Sequence, residues 1–233
     1  MIENKKEFML GFVMMVAFLA VLGLFFSPLF PDHNGVKHNG MEYLDALYNS
    51  ISKDSAYYIP ASKEDAKKMN GIVVETKFSM DNAEQAGQIV AQLQKYGVTA
   101  TAVDKDVTMN GDLGAVLSAS LDDADLMYHN DGASISAKYG FDERQVVYNW
   151  YKALDGSYKY LMKNEKFDEA KVIKNSLGKS IETSYNYYKI VPKPIKTCWW
   201  IVVGSLLFYV IYTMWYGYAI MFMFEGWGMK FGH

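Results

Sequence analysis

The chain has 233 residues, and its 23 Lys and Arg side chains nearly balance 26 Asp and Glu side chains, for a formal net charge of −3. This balance provides no basic surface of the kind that nucleic acid requires, so we expect no nucleic-acid partner. The single cysteine, Cys198, excludes an intrachain disulfide and the zinc, iron–sulfur and c-type haem sites that are built from several cysteines.

Two apolar runs without a charged residue lie near the ends of the sequence, at residues 8–30 and 197–224. As helices they would be about 34 Å and about 42 Å long, whereas the hydrocarbon core of a bilayer is about 30 Å thick. The first run follows Lys5 and Lys6, is longer than the core of a cleaved signal peptide and ends without a small-residue cleavage site. We therefore interpret it as a signal anchor, and the chain as a two-pass membrane protein.

Residues 1–7 and 225–233 are predicted to be short tails, so the polar sequence lies between the two spans. Lys5 and Lys6 favour a cytoplasmic amino terminus, although lysines also crowd the loop side of the second span. Long loops are translocated largely regardless of their charge. We expect a location in a bacterial inner (plasma) membrane, with cytoplasmic tails and a large extracytoplasmic, periplasmic domain.

Residues 31–71 are predicted to form a juxtamembrane loop and an amphipathic helix. The loop contains the Asn-Gly turn signals Asn34-Gly35 and Asn39-Gly40. Apolar side chains at helical spacing then predict a helix at 41–52. We interpret residues 54–70 as a polar connector.

Residues 72–130 are predicted to form a small α/β unit. Asp81 is expected to cap its first helix, and Gly97 to end that helix. The strand–helix–strand–strand–helix order predicts an open sheet with helices on one face, of ferredoxin-like size. The expected elements are a strand at 72–78, a helix at 81–96, a strand at 98–103, a short third strand at 107–109 and a helix at 112–128.

Residues 141–190 are predicted to form an αα-hairpin. Asp142 and Gln145 have the spacing of a capping box for its first helix, and the second helix is expected to run from 167 to 189. The prolines of 191–194 then break the chain before the second span. The whole chain is thus predicted to be an α+β membrane protein, in which two terminal transmembrane helices flank a small α/β unit and an α-helical hairpin.

Two groups of polar residues have the composition of a metal site. Asp122, Asp125 and His129 follow one another at i, i+3 and i+7, so a helix places them on one face. Two carboxylates and an imidazole can bind a divalent cation, whereas the simpler interpretation is a solvated acidic face. His33 and His38, in the loop after the first span, form the second group, which can equally be polar turn residues.

No catalytic motif is present: the sequence lacks a nucleophile elbow, an HExxH zinc motif, a phosphate-binding P-loop and a GxGxxG fingerprint. Neither apolar run contains His, Asp, Glu, Lys or Arg, which argues against a haem ligand pair or a proton path within this chain. We therefore expect a protein that is not an enzyme and that holds no cofactor.

The second apolar run carries Tyr209, Tyr212 and Tyr216 at i, i+3 and i+7, which predicts three phenol groups on one helix face. Thr213 and Gly217 form a small-xxx-small pair, which permits close contact between helices. We interpret these five residues as a docking surface for another membrane subunit. The alternatives are a long aromatic anchor in the lipid and a quinone or lipid site.

Taken together, these features favour a non-catalytic accessory subunit of a multisubunit inner-membrane complex, in respiratory electron transport or in transport. Its expected partners are integral-membrane subunits and the lipid bilayer. In its two terminal spans and in the prolines of 192–194, the chain also resembles the polysaccharide co-polymerases. That resemblance implies a homo-oligomeric membrane scaffold as the alternative. A third hypothesis is an extracytoplasmic ligand-binding module built on the α/β unit.

Overall fold

The described part of the chain, residues 2–31 and 35–229 of the computed structural model, is mostly helical, with an apolar helix near each end and two small sheets. Its internal contacts divide it into two compact units. The terminal unit comprises Met1–Ser52 and Pro192–His233, and the central unit comprises Lys53–Val191.

The terminal unit is built around two long apolar helices. α1 begins at Lys5 because the Asn4 side chain caps it, and it ends before Pro28, which cannot continue a helix. The elements of this unit are α1 (Lys5–Phe25), β1 (Phe30–Pro31), β2 (Lys37–His38), the larger part of α2 (Gly40–Ser55), a 3-10 turn (Ile195–Thr197) and α10 (Trp199–Gly226).

α1 and α10 pack against each other. A Cβ atom added at Gly11 would lie 2.7 Å from the carbonyl oxygen of Ala219, so only glycine permits this approach. Gly226 plays the same part on α10, where an added Cβ would lie 2.5 Å from the backbone nitrogen of Phe8. Small residues at a helix crossing allow the backbones to come close, which maximises van der Waals contact.

Hydrogen bonds cap α2 and connect it to other parts of the terminal unit. The helix predicted at 41–52 is present, and it is preceded by a reciprocal cap in which Asn39 and Glu42 each accept the other's backbone N–H. The Tyr48 hydroxyl lies 2.7 Å from the Ser205 Oγ of α10. The backbone N–H of Lys193 donates to the carbonyl of Ser50 at 3.1 Å.

The central unit combines one sheet with seven α-helices in its described sequence, 53–191. The segment interpreted as a polar connector contains a helix, which begins around Pro60, a residue favoured in a first turn. The elements are α3 (Ile59–Lys67), β3 (Val73–Ser79), α4 (Ala83–Gln94), β4 (Thr99–Val103), β5 (Asp106–Asp112), α5 (Leu113–Tyr128), α6 (Gly132–Tyr139), α7 (Glu143–Lys163), α8 (Phe167–Ser176), a π-helical turn (Leu177–Ile181) and α9 (Glu182–Asn186).

The sheet has the strand order β3-β5-β4, and both pairings are antiparallel. β3 and β4 are therefore parallel, with β5 inserted between them. Because α4 connects these two parallel strands, β3, α4 and β4 form a split β-α-β unit. The described sheet has three strands, so β3 and β4 are its edges.

The third strand is longer than the sequence predicts, because Asn110-Gly111 is not a turn. Both residues continue β5, where they pair with Glu75 and Val74 of β3. The turn lies earlier, at Asp104, which has a φ of +53°. The glycine is needed in the strand because a Cβ added at Gly111 would lie 2.9 Å from the Val98 side chain.

One face of the sheet is buried and the other is exposed. Along β3 the residues Val74, Thr76 and Phe78 are buried, and their neighbours in sequence are exposed, as expected for a half-covered strand. α7 packs against β3, and α4 packs against β4. The Thr76 hydroxyl lies 3.0 Å from the Ser157 hydroxyl of α7, so even the polar residue of the buried face has a partner.

Several local predictions need correction. α4 is capped by Asn82 and not by Asp81, since the Asn82 side chain accepts the Gln85 N–H at 2.9 Å. Asp142 does cap α7, but the Gln145 side chain donates forward to Asn149, so the capping box is not closed. The returning helix predicted at 167–189 is interrupted by the π-helical turn and ends at Asn186.

Candidate functional site

The five predicted docking residues of α10 have different surroundings, and their role in docking stays a prediction. The Tyr212 ring stacks on Phe18 of α1 at 4.2 Å between centroids, and its buried hydroxyl has no hydrogen-bond partner among the described residues. Tyr216 also touches Phe18, at 5.2 Å, but it is 45% exposed. Tyr212 therefore contributes to the contact between α10 and α1.

Tyr209, Thr213 and Gly217 lie on the side of α10 that α1 leaves open. The half-exposed Tyr216 lies at the edge of that side, where its ring also touches Phe18. Tyr209 is 67% exposed, and its carbonyl accepts the Thr213 hydroxyl at 2.7 Å. A Cβ added at Gly217 would meet nothing within 4 Å. We call Tyr209, Thr213, Tyr216 and Gly217 the outer face of α10. The small residues at the contact between α1 and α10 are instead Gly11 and Gly226. Gly11 could have been found from the sequence, because it is a glycine inside the first apolar run.

The predicted metal group is bridged by a lysine. The Lys63 Nζ lies 2.8 Å from Asp122 Oδ1 and 3.0 Å from Asp125 Oδ2. Burial lowers the pKa of Lys63, but the hydrogen bonds to both carboxylates outweigh it, so the pKa is raised and the ammonium stays charged. His129 Nδ1 lies 3.2 Å from Asp125 Oδ1. The ammonium thus supplies the positive charge that a metal ion would bring to these carboxylates.

Among the described residues no group of three or more His, Cys, Asp and Glu side chains is arranged to hold a metal ion. A cation bound by Asp122, Asp125 and His129 stays a prediction, and it would have to displace Lys63. His33 lies outside the described residues, and its partner in that prediction, His38, has its Nδ1 3.4 Å from Glu42 Oε2. Lys63 was missed because it belongs to α3, about sixty positions earlier.

A buried carboxylate in the core of the central unit was also missed. Asp123 is fully buried, and its oxygens accept from Lys138 Nζ at 2.7 Å, from the Tyr139 hydroxyl at 2.6 Å and from Trp150 Nε1 at 2.8 Å. Burial and the hydrogen bond to Asp123 raise the pKa of Tyr139, so this phenol stays protonated and donates. Both carboxylate oxygens of Asp123 accept hydrogen bonds from neighbouring side chains, which indicates that this residue has a structural role.

A second buried charge, Lys53, ties the two ends of the central unit together. Its Nζ donates to Asn130 Oδ1 at 2.9 Å, to the Tyr187 carbonyl at 3.0 Å and to the Ile190 carbonyl at 2.7 Å. The Tyr128 hydroxyl donates to the Lys53 carbonyl, and its ring lies beneath the Nζ. Burial lowers the pKa of Lys53.

A groove of about 350 Å³ lies between β3 and α7 in the central unit. Four lysines and one carboxylate contribute to its walls, and the α7 lysines share a helix face at i, i+7 and i+11, a spacing that sequence reasoning could have found. The lining residues are Lys77, Phe78, Ser79, Lys152, Asp155, Gly156, Lys159, Tyr160 and Lys163. The excess of ammonium groups makes this groove suited to an anionic ligand.

No family model matches the chain, and no curated protein or solved structure is significantly similar to it.

Proposed function

We propose that this protein is a two-pass membrane protein that serves as a non-catalytic accessory subunit of a larger inner-membrane complex, in respiratory electron transfer or in transport. In this proposal the central unit lies outside the cytoplasm, where it braces or covers the catalytic membrane subunit. The observation that carries it is the uncovered apolar surface of α1 and α10.

The helices Lys5–Phe25 and Trp199–Gly226 are both long and apolar enough to cross a bilayer, and the mean hydropathy of an 18-residue stretch is 2.6 in the first and 1.5 in the second. Few of their residues are buried by the rest of the chain, unlike those of a core helix in a water-soluble protein. Large apolar side chains such as Val13, Leu206 and Ile211 are more than half exposed. An apolar surface of this extent favours a lipid or protein environment over water.

The outer face of α10 supports a protein partner in addition to lipid. The Tyr209 side chain is exposed halfway along the helix, where a phenol hydroxyl surrounded by hydrocarbon has no water to bind. Gly217 leaves an open surface two turns further on, at which another helix backbone can approach closely. A neighbouring transmembrane helix would meet both needs.

The test is purification of the chain from its native membranes in mild detergent, followed by mass spectrometry. We expect stoichiometric membrane subunits to accompany it, and Gly217→Leu to reduce their yield about tenfold by blocking close approach. Gly204→Leu is the matched control, because Gly204 also has open space around it but lies on a different side of α10. A single species of high mass would replace this proposal with the homo-oligomeric scaffold.

The location of the central unit is tested separately. A reporter enzyme that is active only outside the cytoplasm can be inserted at the Asp104–Lys105 turn, which lies between β4 and β5. We expect an active fusion. An inactive fusion of normal abundance would place the central unit in the cytoplasm.

A further inference from the structure

β3 has one edge that no strand covers in the described structure. Its other edge pairs with β5, and the flanking bonds from Leu113 N to the Ile72 carbonyl and from Met80 N to the Lys105 carbonyl fix which residues face β5. Because these groups alternate along an antiparallel strand, the backbone N–H and C=O groups of Val73, Glu75, Lys77 and Ser79 point to the free edge.

The lysine-lined groove runs beside this strand. Lys77, Phe78 and Ser79 of β3 form one wall, and α7 forms the other. α7 approaches β3 closely at Gly156, where an added Cβ would lie 2.4 Å from the Phe78 Cβ. A groove between a strand edge and a helix is the setting in which an extended peptide adds to a sheet, with backbone hydrogen bonds on one side and side-chain contacts on the other.

The charge of the groove indicates what kind of peptide it accepts. Lys152 is paired with Asp81 at 2.7 Å, and Lys159 is paired with Asp155 at 2.6 Å. Lys77 is 3.9 Å from Glu75, its nearest carboxylate, and Lys163 makes no ion pair among the described residues. The Lys163 ammonium on α7 is therefore available to a ligand, and the Lys77 ammonium on β3 is held only by a long ion pair that a closer carboxylate can replace.

We propose that this groove binds an extended acidic peptide, which adds to β3 as a fourth strand. The split β-α-β sheet has its vacant position at this edge, and the lysines select a negatively charged segment. A second copy of the chain is a poor occupant, because two such grooves would bring like charges together. The peptide site concerns the central unit alone and goes beyond the proposed role as an accessory subunit. Failure of the peptide test would therefore leave the subunit role unaffected, and the reverse is also true.

The test measures binding of fluorescent peptides to the full chain in detergent micelles. The probe is a peptide of alternating glutamate and valine, and two further versions carry N-methyl groups on every glutamate or on every valine nitrogen. Only one edge of an added strand faces β3, so we expect one methylated version to lose at least about tenfold in affinity and the other to retain binding. A peptide with lysine in place of glutamate is expected to bind at least about tenfold more weakly than the acidic probe.

Substitutions locate the site. Lys77→Glu and Lys163→Glu are each expected to weaken binding of the acidic peptide about tenfold, because each replaces a positive charge of the groove by a negative one. Lys171→Glu is the matched control, since this exposed lysine of α8 does not line the groove, and unfolding midpoints establish that all three variants fold. Equal binding of both methylated peptides would show that the groove recognises charge without adding a strand and would overturn the proposal. Undetectable binding of the acidic peptide would overturn it as well, and the lysines would then only protect the edge of the sheet.

Discussion

Trp150 donates its indole N–H to Asp123 across 2.8 Å, and both side chains are fully buried. This bond joins α5 to α7, the two longest helices of the central unit. The half-buried Lys138 and Tyr139 donate to the same carboxylate, so three donors share this one buried acceptor group.

Asp123→Ala is therefore expected to destabilise the protein by about 3 kcal/mol, because it removes the acceptor of the buried Trp150 indole N–H and of the half-buried Lys138 and Tyr139 side chains. Pulse proteolysis in urea on the full chain in detergent measures the loss. Asp155→Ala is the control, because it breaks only the ion pair with the exposed Lys159. It should lower the free energy of unfolding by less than about 1 kcal/mol. Equal losses for the two variants would contradict a structural role for Asp123.

Gly11→Leu is expected to separate α1 from α10, because a Cβ at this position meets the backbone of α10 at 2.7 Å. Oxidative cross-linking of cysteines placed at Phe18 and Tyr212, whose rings stack in the helix pair, measures the pairing. Gly23→Leu adds the same side chain to α1 at a position with open space and should leave cross-linking unchanged. Efficient cross-linking in both variants would count against the close contact at Gly11.

Two substitutions of Asn130 should separate the cost of backbone strain from the cost of losing its hydrogen bonds. It has a φ of +64°, and its side chain bonds to Lys53 Nζ, to the Lys189 N–H and to the Ile190 carbonyl. Asn130→Ala and Asn130→Gly both remove these bonds, but only alanine is strained in the left-handed region, so it should be less stable than glycine by about 1 kcal/mol. Urea unfolding of both variants provides the comparison, and equal stability would mean that the backbone relaxes.

Alkaline pH should unfold the central unit through its buried phenols. Burial raises the pKa of Tyr128 to about 12, and burial with the hydrogen bond to Glu143 raises the pKa of Tyr188 to about 12. Since unfolded tyrosine ionises near pH 10, their contribution to stability is complete below pH 10 and is lost as the pH rises towards 12. Tyr128→Phe should reduce the decrease in the free energy of unfolding between pH 10 and pH 12, whereas Tyr58→Phe, at an exposed position, should leave it unchanged. The free energy of unfolding measured across this pH range decides between them.

Sequence periodicity was sufficient where a segment has one buried face. The β-branched composition of β3 and the helical spacing of α4 and α5 predicted those elements close to their observed bounds. The prediction was wrong at Asn110-Gly111, because an Asn-Gly pair is by local preference a turn signal. The glycine is needed in this strand because Val98, which lies elsewhere in the sequence, leaves no room for a Cβ atom.

The candidate sites were harder to predict because they join residues that are distant in sequence. Lys63 reaches Asp122 and Asp125 from another helix, and nothing in the acidic sequence itself indicates that a cation is already provided. The orientation of Tyr212 towards Phe18 likewise depends on how α1 and α10 meet, which the spacing of three tyrosines leaves open.

The hydrogen bonds of Lys53 place the first and last residues of the central unit within one side chain of each other, since its Nζ reaches Ile190 at 2.7 Å. A domain whose two ends lie close together can be inserted into another chain or removed from it with little change in the rest of the structure. Replacing residues 53–191 by a short turn is therefore a practical route to a minimal two-helix protein, and the excised module can be grafted into an exposed loop of an unrelated host.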